Sequence, residues 1–210
     1  MVGQGVLREC LLDPSVSEVI AIGRSSIPQQ SAKLRQMVRS DLFDLSDLDT
    51  ELAAIDACFF CLGVSSVGMT EEAYRRITFE LTTAIAKRLA GLNPALIFVY
   101  VSGAGTDSSE RGRSTWARIK GQTENALLRL PIKAAFMFRP GMIVPLHGIR
   151  SKTAIYRWLY IVLTPLLPLL ERTFPKYVTT TERLGRAMLH VAHVGATKRV
   201  LGNSDINLLG

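Results

Sequence analysis

ALIFVYVSGAGTDSSERGRSTWARIKGQTENALLRL, residues 95–130, is the stretch from which the fold can be predicted. Its apolar run Leu96–Ser102 indicates a buried strand. A glycine-rich loop follows, and the segment from Ser114 to Arg129 has the apolar period of a helix. A near-continuous apolar strand that leads into a helix is typical of a parallel sheet covered on both faces.

The same alternation of short apolar runs and helical segments extends over the rest of the chain. Further strands are predicted at Glu18–Gly23, Met37–Phe43, Ala57–Gly63 and Ala134–Arg139. Helices are predicted at Val2–Leu12, Thr70–Gly91, Lys152–Leu163 and Thr181–His193. This βα alternation predicts an α/β protein: one Rossmann-like domain, residues 1–210, with a doubly wound parallel sheet.

The charge of the chain argues against nucleic acid as a partner. Its 210 residues carry a net charge of +7, and the basic residues are scattered rather than clustered in a tail. This distribution favours a mildly cationic surface or a site for an anionic ligand such as a phosphate.

The cysteines and histidines predict neither a disulfide framework nor a metal site. Three cysteines indicate a reducing compartment, for which we take the cytoplasm. Cys58 and Cys61 form a CxxC, but they lie within an apolar run, so we interpret them as part of a buried strand. The three histidines have no cysteine or carboxylate nearby at ligand spacing.

One uncharged segment, WLYIVLTPLLPLL at residues 158–170, raises the question of a membrane. It is shorter than the roughly 20 apolar residues that a spanning helix needs, and Pro165 and Pro168 interrupt it. We therefore predict a buried or lid-like helical hairpin, and residues 144–180 as a small lid on the substrate side. Peripheral membrane contact through residues 158–170 is the alternative.

Several short motifs carry a resemblance to a known family. The chain resembles the atypical short-chain dehydrogenases/reductases, and in particular the Tat-interacting-protein-like oxidoreductases and their bacterial NAD-dependent epimerase/dehydratase relatives. The motifs occur in the family's order and cover nearly the whole chain. They are MVGQGVLRECL at 1–11, VIAIGRS at 19–25, CLG at 61–63, YVSGAG at 100–105, KGQTENAL at 120–127 and FRPGMI at 138–143.

The beginning of the chain departs from that family pattern. In a dinucleotide-binding unit, a first strand and a Gly-rich turn precede the helix predicted at Val2–Leu12. Here no strand precedes it, so we expect the first strand to be missing and the edges of Glu18–Gly23 and Ala57–Gly63 to lack a partner. We hypothesise that the natural protein starts about ten residues earlier, enough for one strand and a turn. If instead the chain is complete as written, we predict weak or absent dinucleotide binding and low stability.

The resemblance implies a set of cofactor-binding residues. Gly3 corresponds to the last glycine of the phosphate loop, and Gly5 to the glycine that packs the helix on the sheet. Arg24 stands where a family acid binds a ribose 2′-hydroxyl. An arginine suits a 2′-phosphate, so NADP is implied rather than NAD. The remaining positions, beside the adenine, the ribose and the nicotinamide, are Asp41, Leu42, Leu62, Gly63, Pro140, Gly141 and Met142.

The resemblance also implies a catalytic group with one member replaced. Ser102 matches the serine that hydrogen-bonds the substrate oxygen, and Lys120 the lysine that assists the tyrosine and holds the nicotinamide ribose. Trp116 occupies the position of the tyrosine, four residues before Lys120 and on the same helix face. An indole N–H only donates and does not titrate in water, so Trp116 cannot be the general acid or base.

Three hypotheses follow for the function. The first is an NADP-dependent oxidoreductase or epimerase acting on a small molecule of unknown class, whose proton donor is a substrate hydroxyl or a water held by Lys120. The second is a binding module that senses NADPH and contacts a protein partner without turnover. The third is a truncated, inactive chain.

Overall fold

The computed structural model describes residues 1–149 and 176–210. The helices are α1 Val2–Leu12, α2 Asp49–Ala53, α3 Glu71–Arg75, α4 Leu81–Leu92, α5 Thr115–Leu128, α6 Thr181–His193 and α7 Asn203–Leu209. The strands are β1 Val19–Gly23, β2 Leu34–Val38, β3 Ala57–Phe60, β4 Ile97–Val101, β5 Ala134–Arg139, β6 Met142–Val144, β7 Val178–Thr180 and β8 Val200–Gly202. A π turn at Arg76–Glu80 joins α3 to α4.

Two of the sequence predictions fall outside the described ranges. These are the helix at Lys152–Leu163 and the apolar segment at residues 158–170, so most of the predicted lid at 144–180 is untested. Within residues 1–149 and 176–210, no helix combines the length and the apolar character needed to cross a membrane.

The main sheet is parallel and covered on both faces, as the apolar strands predict. Its order is β3-β4-β5-β8. Successive residues of β4 point to opposite sides because side chains alternate along a strand. Ile97 and Val99 pack with α1 and α6, whereas Phe98 and Tyr100 pack in a second core with α4 and α5. The doubly wound α/β arrangement is therefore confirmed.

A break in the sheet separates its first two strands from the rest. β1 pairs with β2 in parallel, and β3 pairs with β4. Among the described residues no strand pairs with the second edge of β1 or of β3. Both strands nevertheless pack against α1, since Val19 and Phe59 belong to the same apolar cluster as Val6. The expectation of unpaired edges at β1 and β3 is met.

Helix α1 is held against α6 by close backbone contact. A Cβ on Gly5 would lie 2.7 Å from the Thr181 Cβ and 2.8 Å from the Thr181 carbonyl oxygen. A Cβ on Gly185 of α6 would lie 2.7 Å from the Glu9 Cγ. These glycines let the helices approach closely. Gly5 thus faces the first residue of α6, whereas the family resemblance implied that it faces the sheet.

One strand lies earlier in the chain than the sequence predicts. The strand expected at Met37–Phe43 is found at Leu34–Val38. Arg35 and Gln36 mask the apolar pattern there, and Arg35 instead forms surface ion pairs with two carboxylates. The chain then turns at Asp41, whose Oδ1 accepts a hydrogen bond of 2.8 Å from the Phe43 N–H.

Candidate functional site

A cavity lies where the carboxyl ends of β3, β4 and β5 meet the amino end of α1. Its volume is about 390 Å³. In an open α/β sheet, ligands bind at the carboxyl ends of the strands. The lining residues come from the four segments that converge there and from one side chain of α5: Met1–Gly3, Cys61–Gly63, Val101–Gly103, Pro140, Gly141, Ile143 and Lys120.

The amino end of α1 gives the cavity a positive electrostatic potential. The first backbone hydrogen bond of the helix runs from the Gly5 N–H to the Met1 carbonyl oxygen, at 3.2 Å. The amides at the start of a helix have no acceptor within the helix, and the helix dipole is positive at this end. Val2 and Gly3, which begin α1, line the cavity. This geometry suits an anionic group.

Ser102 is partly buried at the point where β4 ends, and its hydroxyl is engaged by two acceptors. The Oγ lies 2.5 Å from the Glu124 Oε1 and 3.1 Å from the Phe138 carbonyl oxygen. The Ser102 backbone N–H donates to that same carbonyl at 2.8 Å. The serine is therefore held rigidly against β5 and α5.

Glu124 of α5 is the buried carboxylate that contacts Ser102. Its side chain is 1% exposed, and Arg139 at the end of β5 neutralises it. The Arg139 Nε donates to both carboxylate oxygens, at 3.0 and 3.2 Å, and the Nη2 donates to Oε2. A paired guanidinium is what allows a carboxylate to be buried at this depth.

Lys120 brings a cation to the wall of the cavity. Its Nζ donates to the Val101 carbonyl oxygen at 3.3 Å and lies 5.2 Å from the centre of the Tyr100 ring. Burial lowers the pKa of Lys120 to about 8, and the negative charge of Glu124 opposes this shift. An amine with this pKa exchanges a proton readily near neutral pH.

Trp116 does not line the cavity. It lies one turn before Lys120 on α5. Its ring packs over the loop after β4, where a Cβ on Gly105 would lie 3.4 Å from the indole. Gly105 has φ of +87°, a conformation that favours glycine. Trp116 therefore has a packing role in this structure.

The predicted cofactor residues fall into two groups. Gly3, Leu62, Gly63, Pro140 and Gly141 line the cavity, together with Ser102 and Lys120. The others lie off its wall. Arg24 and Asp41 are exposed beyond β1 and β2, Leu42 is buried, Met142 belongs to β6, and Gly5 contacts α6.

Cys10 is buried, whereas Cys58 and Cys61 are half-buried. All three are free, and Cys61 lines the cavity. Burial raises the pKa of Cys58 and of Cys61 to about 12. Neither is a thiolate at neutral pH, which argues against redox chemistry at the CxxC. No cluster of metal-ligating side chains occurs in the part of the chain that the structure describes.

Glu124 and Arg139 are the site residues that sequence reasoning missed. Glu124 lies four residues after Lys120, so both side chains face the same side of α5. The four-residue spacing of Lys120 and Glu124 was the signal in the sequence that could have identified Glu124. Its meaning depends on Arg139, which is fifteen residues further along the chain.

Comparison with known proteins identifies relatives of this fold. No family model matches the chain. It is 29% identical over 154 residues to "Protein fmp52, mitochondrial" of Emericella nidulans, a match that covers 68% of this chain and 63% of that protein. The chain thus spans less than two thirds of the length of this relative.

Solved structures share the fold of this chain over nearly its whole length. The reductase domain of PhqB from Penicillium fellutanum superposes with a TM-score of 0.66 at 16% identity, over 95% of this chain and 63% of that one. UDP-glucuronic acid 4-epimerase from Bacillus cereus, solved in complex with NAD, has a TM-score of 0.64 at 14% identity, over 95% and 72%. The chain therefore has the fold of these two proteins.

Proposed function

We propose that this protein binds a nicotinamide dinucleotide in the cavity at the amino end of α1. We further propose that it acts as an oxidoreductase or epimerase on a small molecule. The observation that carries the proposal is the placement of Ser102 and Lys120 on the wall of the same cavity that receives the amino end of α1. A ligand in this cavity would contact the Ser102 hydroxyl, the Lys120 ammonium group and the amino end of α1.

The residues present fit such a cofactor. Among the described residues that line the cavity there is no carboxylate, so a pyrophosphate meets no like charge from them. A Cβ on Gly63 would meet nothing within 4 Å, and one on Gly3 would make only an ordinary contact of 3.4 Å with Cys61. The amino end of α1 with Gly3 would hold the pyrophosphate, and Lys120 a ribose. When bound, the nicotinamide accepts or donates a hydride.

The chain's own residues then orient the substrate and move its proton. Ser102 hydrogen-bonds the substrate oxygen from a rigid position at the end of β4. Trp116 lies off the cavity wall and does not titrate, so the proton passes through the Lys120 Nζ or a water that it holds. The lowered pKa of Lys120, about 8, supports this role.

We propose NADP rather than NAD as the cofactor. Arg24 supports this choice, since it is exposed directly after the end of β1 and a guanidinium suits a 2′-phosphate. We expect Arg24→Ala to weaken NADPH binding about tenfold while leaving NADH binding unchanged, the size of one charge-assisted contact. We place this activity in a reducing compartment, the cytoplasm, in keeping with three free cysteines.

A second candidate is a binding module that senses NADPH and contacts a protein partner without turnover. The position of Trp116 favours it, because an indole does not titrate and the described residues that line the cavity include no tyrosine. A chain that binds no dinucleotide would instead support the inactive alternative.

Fluorescence titration with NADPH and NADH tests the proposal, followed by NADP⁺ reduction against a panel of alcohols and NADPH oxidation against the corresponding ketones and aldehydes. Lys120→Met is expected to weaken cofactor binding and abolish turnover. Lys133→Met is the matched control, since Lys133 is exposed at the opposite end of the sheet, before β5. Binding without turnover would favour the sensing module, and equal effects of the two substitutions would refute the site.

A further inference from the structure

The Ser102 hydroxyl has a single proton, and the structure shows where that proton goes. In residues 1–149 and 176–210, its two partners are the Glu124 carboxylate, at 2.5 Å, and the Phe138 carbonyl oxygen, at 3.1 Å. An ionised carboxylate and a carbonyl only accept hydrogen bonds. The proton of Ser102 is therefore directed at these acceptors.

The carboxylate is held so that it cannot turn away from Ser102. Arg139 contacts both of its oxygens through Nε, and its Nη2 donates to Oε2 as well as to the Ser108 Oγ, the latter at 2.5 Å. The Glu124 side chain is 1% exposed, so water does not compete for the carboxylate. A charge-assisted hydrogen bond at a site from which water is excluded is stronger than a hydrogen bond between neutral groups.

We infer that Ser102 faces the cavity with its lone pairs and so selects a ligand that donates a hydrogen bond, namely a hydroxyl group. This inference rests on the proposed function and names the substrate class of the same site. A carbonyl oxygen placed against Ser102 would meet a lone pair, and its hydrogen bond would stay unmade. A hydroxyl donates to Ser102 and leaves the bond to Glu124 intact.

The test compares two probes of the same carbon skeleton, 1-phenylethanol and acetophenone, on the cofactor-free protein. Two-dimensional ¹H–¹⁵N spectra give their dissociation constants without turnover. We expect the alcohol to bind about tenfold more tightly than the ketone, the equivalent of one hydrogen bond. Equal binding, tighter binding of the ketone, or no binding of either probe would overturn the inference.

Two variants of the site decide whether the preference comes from Ser102. Glu124→Gln can donate from its amide to Ser102, which frees the serine proton for the cavity, so the preference should fall towards unity or reverse. Ser102→Ala removes the acceptor and should also abolish it. If Glu124→Gln does not fold, Ser102→Ala alone decides, and an unchanged preference in that variant would contradict the inference.

The matched control is a serine–carboxylate pair on the surface. The Ser46 Oγ donates to the Asp44 Oδ1 at 2.6 Å, in an exposed turn outside the cavity. Ser46→Ala should leave the preference unchanged. NADPH titration of the same samples separates the two proposals. Loss of dinucleotide binding with the preference retained rejects the proposed function, and the reverse result rejects only the substrate class.

Discussion

Replacing the Glu124 carboxylate by an amide of the same shape should measure how much the ion pair with Arg139 contributes to the stability of the protein. Glu124→Gln removes the charge that Arg139 neutralises but keeps the volume of the side chain. Breaking a buried ion pair from one side costs about 3–5 kcal/mol, because the remaining charge is left uncompensated.

The structure places the expected value at the lower end of that range. The Arg139 side chain is 21% exposed, so water partly hydrates the guanidinium once its partner is gone. We therefore expect Glu124→Gln to lower the free energy of unfolding by about 3 kcal/mol. Urea unfolding followed by fluorescence and circular dichroism measures this difference, provided that both probes show one transition.

The control is an ion pair of the same residue types at the surface. Arg118 contacts Glu71 at 2.7 Å, and the Glu71 side chain is 55% exposed. Glu71→Gln should cost less than about 1 kcal/mol. Adding Arg139→Met to Glu124→Gln should recover part of the lost stability, because no uncompensated charge then remains. Equal costs for the two glutamate substitutions would refute the reasoning.

Three further outcomes are expected. Gly5→Ala should lower the free energy of unfolding in urea by about 1–3 kcal/mol, because its Cβ would overlap α6. Gly91→Ala is the contrasting variant, since a Cβ there meets nothing within 4 Å, and it should raise the free energy of unfolding by up to about 1 kcal/mol. Because the pKa of Lys120 is lowered to about 8, its positive charge is present below that pH and lost above it. NADPH affinity should therefore fall as the pH rises through about 8 and be insensitive to this range in Lys120→Met, and a flat profile in the parent protein would exclude Lys120 from the binding site. Cys58 and Cys61 should react slowly with a thiol reagent at pH 8 in the folded protein and fully in urea, because burial raises the pKa of both thiols to about 12. Fast labelling of the native protein would contradict this prediction.

The regular elements near the site were predictable from local sequence. Strand β4 was expected at Leu96–Ser102 and is found at Ile97–Val101, and α6 has the predicted bounds Thr181–His193. Thr70, where a helix was predicted to begin, caps α3, since its Oγ1 accepts from the Ala73 N–H at 3.2 Å. In each case the signal is the apolar period or a cap within a few residues.

Other elements depend on partners that are far along the chain. β6 and β7 have three residues each and pair across the segment between them, and β8 completes the main sheet through Met137–Arg139 of β5. Strands this short show no period, so sequence reasoning did not identify them. Their formation follows from the hydrogen bonds that neighbouring strands offer.

The sequence by itself determined the alternation of strands and helices, and with it the position of Ser102 at the end of a strand and of Lys120 on the helix that follows. These features depend on side-chain period, which is local. Only the tertiary structure decided that Trp116 packs over the loop at Gly105 and that the proton of Ser102 points to Glu124. Those orientations are set by contacts among β4, α5 and β5, because a buried carboxylate is stable only where folding brings a guanidinium to it.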